Sequence, residues 1–254
     1  MVRHGPPEGA QSVGRALKLL KAFSRHTPEL GLAALCERAG LTRTTAHRLL
    51  AALVSEGMVS RNPMTGRYRL GPAVIALGTL ALQSDDLRAV VQPELESLAA
   101  ETGETATLEV LAEGRALILS EVTGQHLVTV AAEIGTLWPL HATSTGKILL
   151  AGLPSEERLA LLEAPLERYT NATITDVEEL ERDLEIVTAR GFALAIEELE
   201  VGAGAVACAV RDSANETVGA ISLGGPTSRL DRQRLESFGS RLLAAAERLA
   251  KSLP

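Results

Sequence analysis

The sequence is poor in aromatic residues and in cysteine. Aromatic residues make up 2% of the chain and hydrophobic residues 46%, so a core must be built mainly from Leu, Val, Ile and Ala. The two cysteines, Cys36 and Cys208, form no CxxC pair, and the five histidines show no metal-ligand spacing. We therefore predict no disulfide framework, no metal site and no cofactor.

Long apolar runs are also missing. The first residues, MVRHGPPEGAQ, lack the apolar segment of a signal peptide, and residues 1–11 are expected to be disordered. The most apolar stretch, residues 70–82, is too short to span a bilayer and is interrupted by Gly71-Pro72 and Gly78. The sequence thus predicts a soluble cytoplasmic protein that does not contact a membrane.

Charge is distributed unevenly along the chain. Residues 1–71 contain 11 Lys or Arg and 4 Asp or Glu, a net charge of +7, although the whole chain has 25 basic and 32 acidic residues. Residues 72–254 therefore hold 14 basic and 28 acidic side chains, a net charge of −14. A basic head of this kind can approach phosphates, and the acidic body discourages non-specific contact with nucleic acid.

The pattern of residues 32–54 is typical of a helix-turn-helix. A first helix is predicted over 32–39, Gly40 ends it, and Thr42 caps the second helix. The second helix has an apolar face formed by Ala46, Leu49, Leu50, Leu53 and Val54. Its outer face carries the side chains predicted to contact a major groove: Arg43, Thr44, Thr45, His47 and Arg48.

A basic hairpin follows this helix. Strands are predicted over 58–61 and 67–70, joined by the turn Asn62-Pro63-Met64-Thr65-Gly66. The pattern makes Val59, Tyr68 and Leu70 available to the core and turns Arg61, Arg67 and Arg69 outward. The predicted DNA contacts of this wing are Arg61, Arg67 and Tyr68. Any amphipathic helix has a charged outer face, but the ordered set of helix, turn, basic helix and basic hairpin favours DNA binding.

Two further helices flank this motif and complete the N-terminal organisation. A helix over 12–24 should pack on the helix-turn-helix through Val13, Ala16, Leu17, Leu20 and Phe23. We predict a DNA-binding domain over 12–71 and a linker over 72–84, whose nearly uncharged helix spans 73–83. This apolar helix either pairs with a partner or packs on its own domain.

Residues 85–254 are predicted to form a second domain. Helices are predicted over 85–101, 144–151, 155–162, 176–190 and 228–252, and strands over 105–112, 115–122, 127–133, 192–197, 203–210 and 218–223. Antiparallel strands with helices on one face make this an α+β fold.

The sequence offers no catalytic residues with a convincing motif. Gly146-Lys147 lacks the remainder of a phosphate-binding loop, and Ser222 lacks the first glycine of a nucleophile elbow. An enzyme that uses Ser222 or Lys147 behind a DNA-binding head is therefore the alternative, and a ligand-independent DNA-binding protein is a third possibility.

Residues 139–147, PLHATSTGK, are typical of a small-molecule site. They enter a predicted helix whose first turn is rich in hydroxyl groups, and free amides at a helix start favour an anion such as a carboxylate. An ordinary capped helix has the same pattern, so both interpretations remain open. Trp138, the only tryptophan, is either a core residue or a lid of the pocket.

Several motifs in order resemble those of IclR-type transcriptional regulators. They are Ser12-Val13-x-Arg15-Ala16-Leu17, Thr44-Thr45-x-His47-Arg48-Leu49-Leu50, Gly66-Arg67-Tyr68-x-Leu70-Gly71, Pro139 to Leu150, Arg190-Gly191-Phe192-Ala193 and Ser222-Leu223-Gly224-Gly225-Pro226. The resemblance covers residues 13–253. It implies a winged helix-turn-helix, a linker helix and a PAS/GAF-like effector-binding domain. It also implies a homodimer or homotetramer, a double-stranded DNA operator, and repression or activation controlled by a small organic effector.

The resemblance also implies a set of pocket residues, with two departures. The implied set is Leu127, Val130, Ser144, Thr145, Gly146, Ala195, Ala205, Ser222 and Gly224. Many relatives have Asp where this chain has Ala195 and Cys where it has Ala205. We expect these departures to make the pocket less polar, which favours a carboxylic or aromatic effector with an apolar body over a very small 2-oxo acid.

Overall fold

The computed structural model describes residues 10–24, 26–126, 133–162 and 164–253, which form two compact units with a boundary between Ser84 and Asp85. The expected disorder of residues 1–9 and the strand expected over 127–133 lie outside the described residues, except for Glu133. Gln11, which was expected to be disordered, begins the first helix. The elements of the first unit are α1 (Gln11–Lys21), β1 (Glu29–Leu30), α2 (Leu32–Ala39), α3 (Arg43–Ser55), β2 (Val59–Arg61), β3 (Tyr68–Leu70) and α4 (Pro72–Gln83).

The first unit is a winged helix-turn-helix with one apolar core. Gly40 ends α2 in the left-handed conformation, and Thr42 caps α3, as the sequence predicts. Strand β1 was not predicted; it pairs with β3 and makes the wing a three-stranded sheet of order β1-β3-β2. The core is formed by Leu19, Ala22, Leu30, Leu35, Ala39, Ala46, Leu50, Val59 and Tyr68.

The structure corrects several predicted core positions. Helix α1 packs through Leu19, with Leu20 and Phe23 beside it, whereas Val13 and Leu17 are exposed. Val54 and Leu70, also expected in the core, are exposed, and each lies at or next to the end of its element, where fewer neighbouring residues cover a side chain.

Helix α4 carries an apolar surface that its own unit does not cover. None of its residues is buried, and Ile75, Leu77 and Leu80 are exposed to 73%, 55% and 61%. An uncharged helix of this composition is stable in water only when another surface covers it. The start of α4 contacts its own unit, where the Ala73 amide donates to the Gly57 carbonyl, while the apolar surface beyond it stays uncovered, so both alternatives for this helix remain open.

The second unit is built on a six-stranded antiparallel sheet of order β6-β5-β4-β9-β8-β7. Strand β6 was not predicted, and the other described strands lie within three residues of their predicted ends. Its elements are α5 (Asp86–Thr102), β4 (Thr105–Ala112), β5 (Arg115–Val122), β6 (Leu137–Trp138), α6 (Ser144–Ala151), α7 (Ser155–Leu161), α8 (Val177–Arg190), β7 (Phe192–Ile196), β8 (Ala203–Arg211), β9 (Thr217–Pro226) and α9 (Arg232–Leu249).

Helices cover both faces of this sheet, which corrects the expectation that they lie on one face. Large side chains such as Leu108, Val206 and Ile221 pack against α5 and α9. The opposite face carries Ala193, Ala207 and Ala220, which pack against α6 and α8. Alanines are short enough for α6 to lie close to the strands, so both faces are buried. No helix within the described ranges is long and apolar enough to cross a membrane.

Candidate functional site

The predicted DNA-contacting face of α3 is an exposed, basic surface. Arg43, Thr44, His47 and Arg48 are exposed, and the Thr42 hydroxyl accepts a hydrogen bond from the Thr45 amide at 3.4 Å. Thr45 is half-buried, and its hydroxyl accepts a 3.0 Å hydrogen bond from the Thr42 hydroxyl. Because Thr45 is part of the cap, the other four side chains form the surface that is open to a groove.

The wing arginines are exposed, but each contacts a neighbouring part of the three-stranded sheet. Arg67 donates to the Glu29 carbonyl at 3.1 Å, and the Arg61 guanidinium lies 5.6 Å from the centroid of the Tyr68 ring. The structure corrects the placement of Tyr68: its side chain is 5% exposed and belongs to the core rather than to the predicted DNA surface. Ordering the arginines before binding reduces the entropy that contact with DNA would otherwise cost.

The second unit contains a cavity of about 110 Å³ between the sheet and the start of α6. This volume is somewhat smaller than that of an engineered cavity of about 150 Å³ that binds benzene, so it is of the order of a small ligand. Its lining comes from β4, β6, β7, β8, β9, the start of α6 and the loop after β7: Thr105, Thr107, Glu109, Trp138, Ala142, Thr143, Ser144, Thr145, Ala195, Glu198, Leu199, Glu200, Ala203, Gly204, Ala205, Ser222 and Gly224.

Strand register explains why this space is empty of protein side chains. Thr105 pairs with Gly224, Gly224 with Ala205, and Ala205 with Ala195, so these four residues form one row across four strands. Successive strand residues point to opposite faces, which places the whole row on the α6 face. Three of its members are Gly or Ala, and the short side chains leave room for a ligand.

The start of α6 is fixed by two local features. The Thr143 hydroxyl accepts a 3.0 Å hydrogen bond from the Gly146 amide, and the Thr143 carbonyl accepts one from the Lys147 amide. A Cβ atom at Gly146 would lie 2.2 Å from the Leu140 carbonyl oxygen, so only glycine permits this approach. Gly146, predicted as an effector contact, lies outside the cavity lining.

A buried carboxyl group, Glu109, faces the start of α6 inside the cavity. The Thr145 hydroxyl donates to Glu109 Oε2 at 2.5 Å, and the Thr107 hydroxyl donates to Oε1 at 3.0 Å. Burial, which disfavours the charged form, raises the pKa of Glu109 to about 7, and the two hydroxyl donors only partly oppose this shift. The carboxyl therefore changes its charge near neutral pH.

Ser222 extends this hydrogen-bonded chain from β9. Its Oγ lies 2.7 Å from Thr107 Oγ1, across the directly paired strands β4 and β9. A hydroxyl has only one proton to donate. When Thr107 donates to Glu109, Ser222 must therefore donate to Thr107, and Ser222 then presents an acceptor to the cavity.

Lys147 does not present a free amine to the cavity. Its Nζ lies 2.8 Å from Asp183 Oδ2 and from Glu198 Oε2, and it donates to the Leu194 carbonyl at 3.2 Å. Burial raises the pKa of Glu198, and the charge of Lys147 opposes that shift. This cluster links α6, α8 and the loop after β7, and it fixes the loop that carries Glu198 to Glu200 along the cavity.

The cavity brings together six of the predicted effector residues and adds several that the sequence reasoning missed. The six are Ser144, Thr145, Ala195, Ala205, Ser222 and Gly224, whereas Leu127 and Val130 lie outside the described residues. The missed polar residues Thr105, Thr107 and Glu109 occupy alternate positions of β4. That alternation was the signal available in the sequence. Alternate residues share one face of a strand, and polar side chains on a buried face need polar partners or a ligand.

Glu109 also corrects the expectation of a less polar pocket. Ala195 and Ala205 line the cavity and contribute no acid and no thiol, but β4 supplies a carboxyl group beside them. Cys208 lies on the opposite face, where burial raises the pKa of its thiol to about 12 and its Sγ donates to the Leu242 carbonyl.

Two family models match the chain. The IclR helix-turn-helix domain matches residues 12–63, and the model described as the bacterial transcriptional regulator IclR C-terminal domain matches residues 79–251. Together they cover the basic face of α3 and the cavity.

Named relatives and solved structures resemble almost the whole chain. The transcriptional repressor IclR of Escherichia coli (strain K12) is 35% identical over 93% of this chain and 88% of its own length. A regulator structure from Alicyclobacillus acidocaldarius has a TM-score of 0.84 and 31% identity, and covers 98% of this chain and 99% of that chain. The structure of an IclR homolog complexed with 4-hydroxybenzoate from Microbacterium hydrocarbonoxydans has a TM-score of 0.79 and 28% identity. The match covers 95% of this chain and 98% of that chain.

Proposed function

This chain belongs to the IclR family of bacterial transcriptional regulators, and we propose that a small organic acid in the cavity at α6 controls its affinity for a double-stranded DNA operator. The observation that carries this proposal is the cavity itself. It lies between the first turn of a helix and a row of Gly and Ala residues, so it offers a polar end and an apolar body in one small space. Carboxylic acids with an aromatic or aliphatic body have the same two parts.

The effector's acid group is assigned to the first turn of α6. The first amides of a helix have no acceptor within it, and their partial positive charge favours an anion. Ser144 and Thr145 lie in this turn with side chains that are almost fully buried. An aromatic body would then contact Trp138, Ala195 and Ala205. The relative that was solved with 4-hydroxybenzoate supports an aromatic acid as one member of the ligand class.

The DNA contacts are assigned to the exposed face of α3 and to the wing. Arg43, Thr44, His47 and Arg48 would enter the major groove, while Arg61 and Arg67 would contact phosphates.

A single winged helix covers one half-site, so we propose a homodimer or homotetramer that pairs through the apolar surface of α4. By analogy with the named E. coli repressor we propose repression. We also propose a cytoplasmic location, because an operator must be accessible to the protein.

We propose no enzymatic activity. A nucleophilic lysine needs an accessible neutral amine, and the Lys147 amine is enclosed by two carboxylates and a carbonyl. The Ser222 hydroxyl lies 2.7 Å from the Thr107 hydroxyl, and none of the described residues that line the cavity is a His that could act as a base for Ser222.

The test uses the full chain and has two arms. An operator is selected from random DNA duplexes, and benzoate, 4-hydroxybenzoate, phenylacetate and hexanoate are titrated at about pH 6 while the fluorescence of Trp138 is followed. At least one acid should bind and should change operator affinity, and Ser144→Ala should weaken that acid roughly tenfold, the usual scale for one lost hydrogen bond to a charged group. Ser120→Ala, a buried serine outside the cavity lining, is the control. Failure of every acid to bind would contradict the effector assignment, and selection of no operator would contradict DNA binding.

A further inference from the structure

An acid effector and Glu109 compete for the same donor. The hydroxyl of Thr145, in the first turn of α6, already donates to the Glu109 carboxyl at 2.5 Å. A second carboxylate placed at this turn would lie beside the first one, and the Glu109 side chain is almost fully buried there. Two neighbouring carboxylates that share the Thr145 hydroxyl as a donor cannot both remain ionised without a large electrostatic penalty.

Among the described residues that line the cavity around Glu109, none is a basic group that would relieve this conflict. On β9 it faces Ala220 and Ser222, on β5 it pairs with Ile118, and on β6 the nearest cavity residue is Trp138. The other charged residues of the described lining, Glu198 and Glu200, are acidic. Lys147, on α6, is directed to Asp183, Glu198 and the Leu194 carbonyl instead.

The proton of Glu109 sets the direction of the hydroxyl chain. With Glu109 ionised, Ser222 donates to Thr107, Thr107 donates to Oε1, and Ser222 offers only an acceptor to the cavity. With a proton on Oε1, Glu109 donates to Thr107, Thr107 donates to Ser222, and the Ser222 hydroxyl is released to donate into the cavity. Oε2 remains an acceptor for Thr145 in both states. An anion needs donors, so it fits the second arrangement.

We propose that the pocket takes up an acid effector together with one proton, which Glu109 holds, and that Ser222 then donates a hydrogen bond to the effector. This inference rests on the proposed function and specifies its ligand class: weak acids that bind as anions to a protonated pocket. Since burial raises the pKa of Glu109 to about 7, the free protein must take up that proton from solvent above neutral pH. Glu109 is thus a specificity-determining residue. When it is ionised, Ser222 can only accept a hydrogen bond from a ligand, and when it is protonated, Ser222 can donate one.

The experiment is calorimetric titration of the full chain with the four acids named above, at about pH 6 and about pH 8.5. At each pH it is repeated in two buffers of different ionisation enthalpy, which counts the protons exchanged. We expect affinity to fall roughly 30-fold between the two pH values, because an anion binds only the protonated fraction of a group with a pKa near 7. Close to one proton should be taken up per effector at the higher pH and nearly none at the lower. Benzamide and benzyl alcohol, which carry no charge, should show neither the fall nor the uptake.

Two variants make the result specific to Glu109. Glu109→Gln carries an amide that donates at every pH, so it should bind the acid with similar affinity at both pH values and without proton uptake. The control is Glu121→Gln, which removes a carboxyl on β5 that lies outside the cavity lining. Burial also raises the pKa of Glu121, but this variant should keep the wild-type pH dependence. Acid binding that is independent of pH in the wild type, or pH dependence that persists in Glu109→Gln, overturns the inference and leaves acid binding itself intact. Absence of binding by every acid at about pH 6 overturns the proposed effector class as well.

Discussion

Thr145, at the start of α6, donates a 2.5 Å hydrogen bond to the carboxyl of Glu109 on β4. The two residues are far apart in sequence, and both are almost fully buried. The first turn of α6 favours an anion, and the Glu109 carboxyl beside it is itself an anion above neutral pH. Charge at this point therefore controls what the pocket can accept, and it also influences how stable the domain is.

The first prediction concerns stability and pH. The pKa of Glu109 is about 7 in the folded protein and has an ordinary value of 4.5, so the native state binds more protons than the unfolded state between these values. The free energy of unfolding should therefore be lowered by Glu109 as pH rises from about 4.5 to about 7. Glu109→Gln carries no ionisable group at this position, so this loss of stability does not occur in the variant. The free energy of unfolding of the variant should exceed that of the wild type by near zero at about pH 4.5 and by roughly 3 kcal/mol at about pH 8.

The measurement is urea unfolding of both proteins, followed by the fluorescence of Trp138. Because this is the only tryptophan and it lies at the cavity wall, the signal reports on the effector domain. A difference between the two proteins that does not change with pH would contradict the ionisation of Glu109 within this range.

The second prediction concerns DNA contact. Arg43→Ala or Arg48→Ala should weaken operator binding by roughly 1–3 kcal/mol if that arginine contacts a guanine, and affinity should fall steeply with added salt. The check is fluorescence anisotropy of a labelled operator over a range of salt concentrations. Arg182→Ala, which removes an equal charge from an exposed position on α8, should change little. Full operator binding after removal of both Arg43 and Arg48 would contradict the assigned surface.

The third prediction concerns assembly. Since α4 leaves Ile75 and Leu80 exposed, we expect the wild type to be at least a dimer, and the double substitution of these residues by Glu should weaken its association. Light scattering at micromolar concentration should show at least twice the chain mass of 26.8 kDa for the wild type and a lower mass for the variant. Ile186→Glu, at a similarly exposed apolar position on α8, should leave the mass unchanged. A wild type that is monomeric would show that α4 does not drive pairing.

The fourth prediction concerns the apolar wall of the cavity. Ala195→Asp places a second acidic group on the row of small residues, and it should weaken an acid effector roughly tenfold or more through repulsion of like charges. Ala195→Asn has nearly the same volume without the charge, so it separates repulsion from filling of the cavity. Titration of both variants at about pH 6 is the check. Equal losses in the two variants would mean that size, not charge, is responsible.

The regular parts of this fold follow from local patterns. The stripe that contains Ala46 and Leu50 repeats every three or four residues, so its burial in α3 could be predicted, as could the Thr42 cap and the turn at Gly40. The prediction was wrong at Val13 and Leu17, because the side of α1 that is buried depends on where α2 and α3 lie. Strand β1 has only two residues, too few to produce a periodic signal.

The candidate site depends on long-range pairing, and this is why the sequence predicted only part of it. Ser144 and Thr145 belong to a local helix start that can be identified by its hydroxyl groups. Glu109 and Ser222 become neighbours only when β4 pairs with β9, and Ala195 joins them only through β8. The family resemblance implies a loss of polarity at Ala195 and Ala205. The alternation along β4 could predict a polar face, but it could not predict that Glu109 lies beside these two alanines.

The most direct test of the account is the operator affinity of the full chain with and without a bound acid. An acid that changes Trp138 fluorescence at about pH 6 is held at saturation while a labelled operator is titrated. Because coupling between two sites is reciprocal, the same acid must also bind more weakly or more tightly when operator is present, by the same factor. We predict a change in operator affinity of roughly 5-fold to 150-fold, the usual range for such coupling. An acid that saturates the cavity and leaves operator affinity unchanged would contradict the control of DNA binding by this pocket.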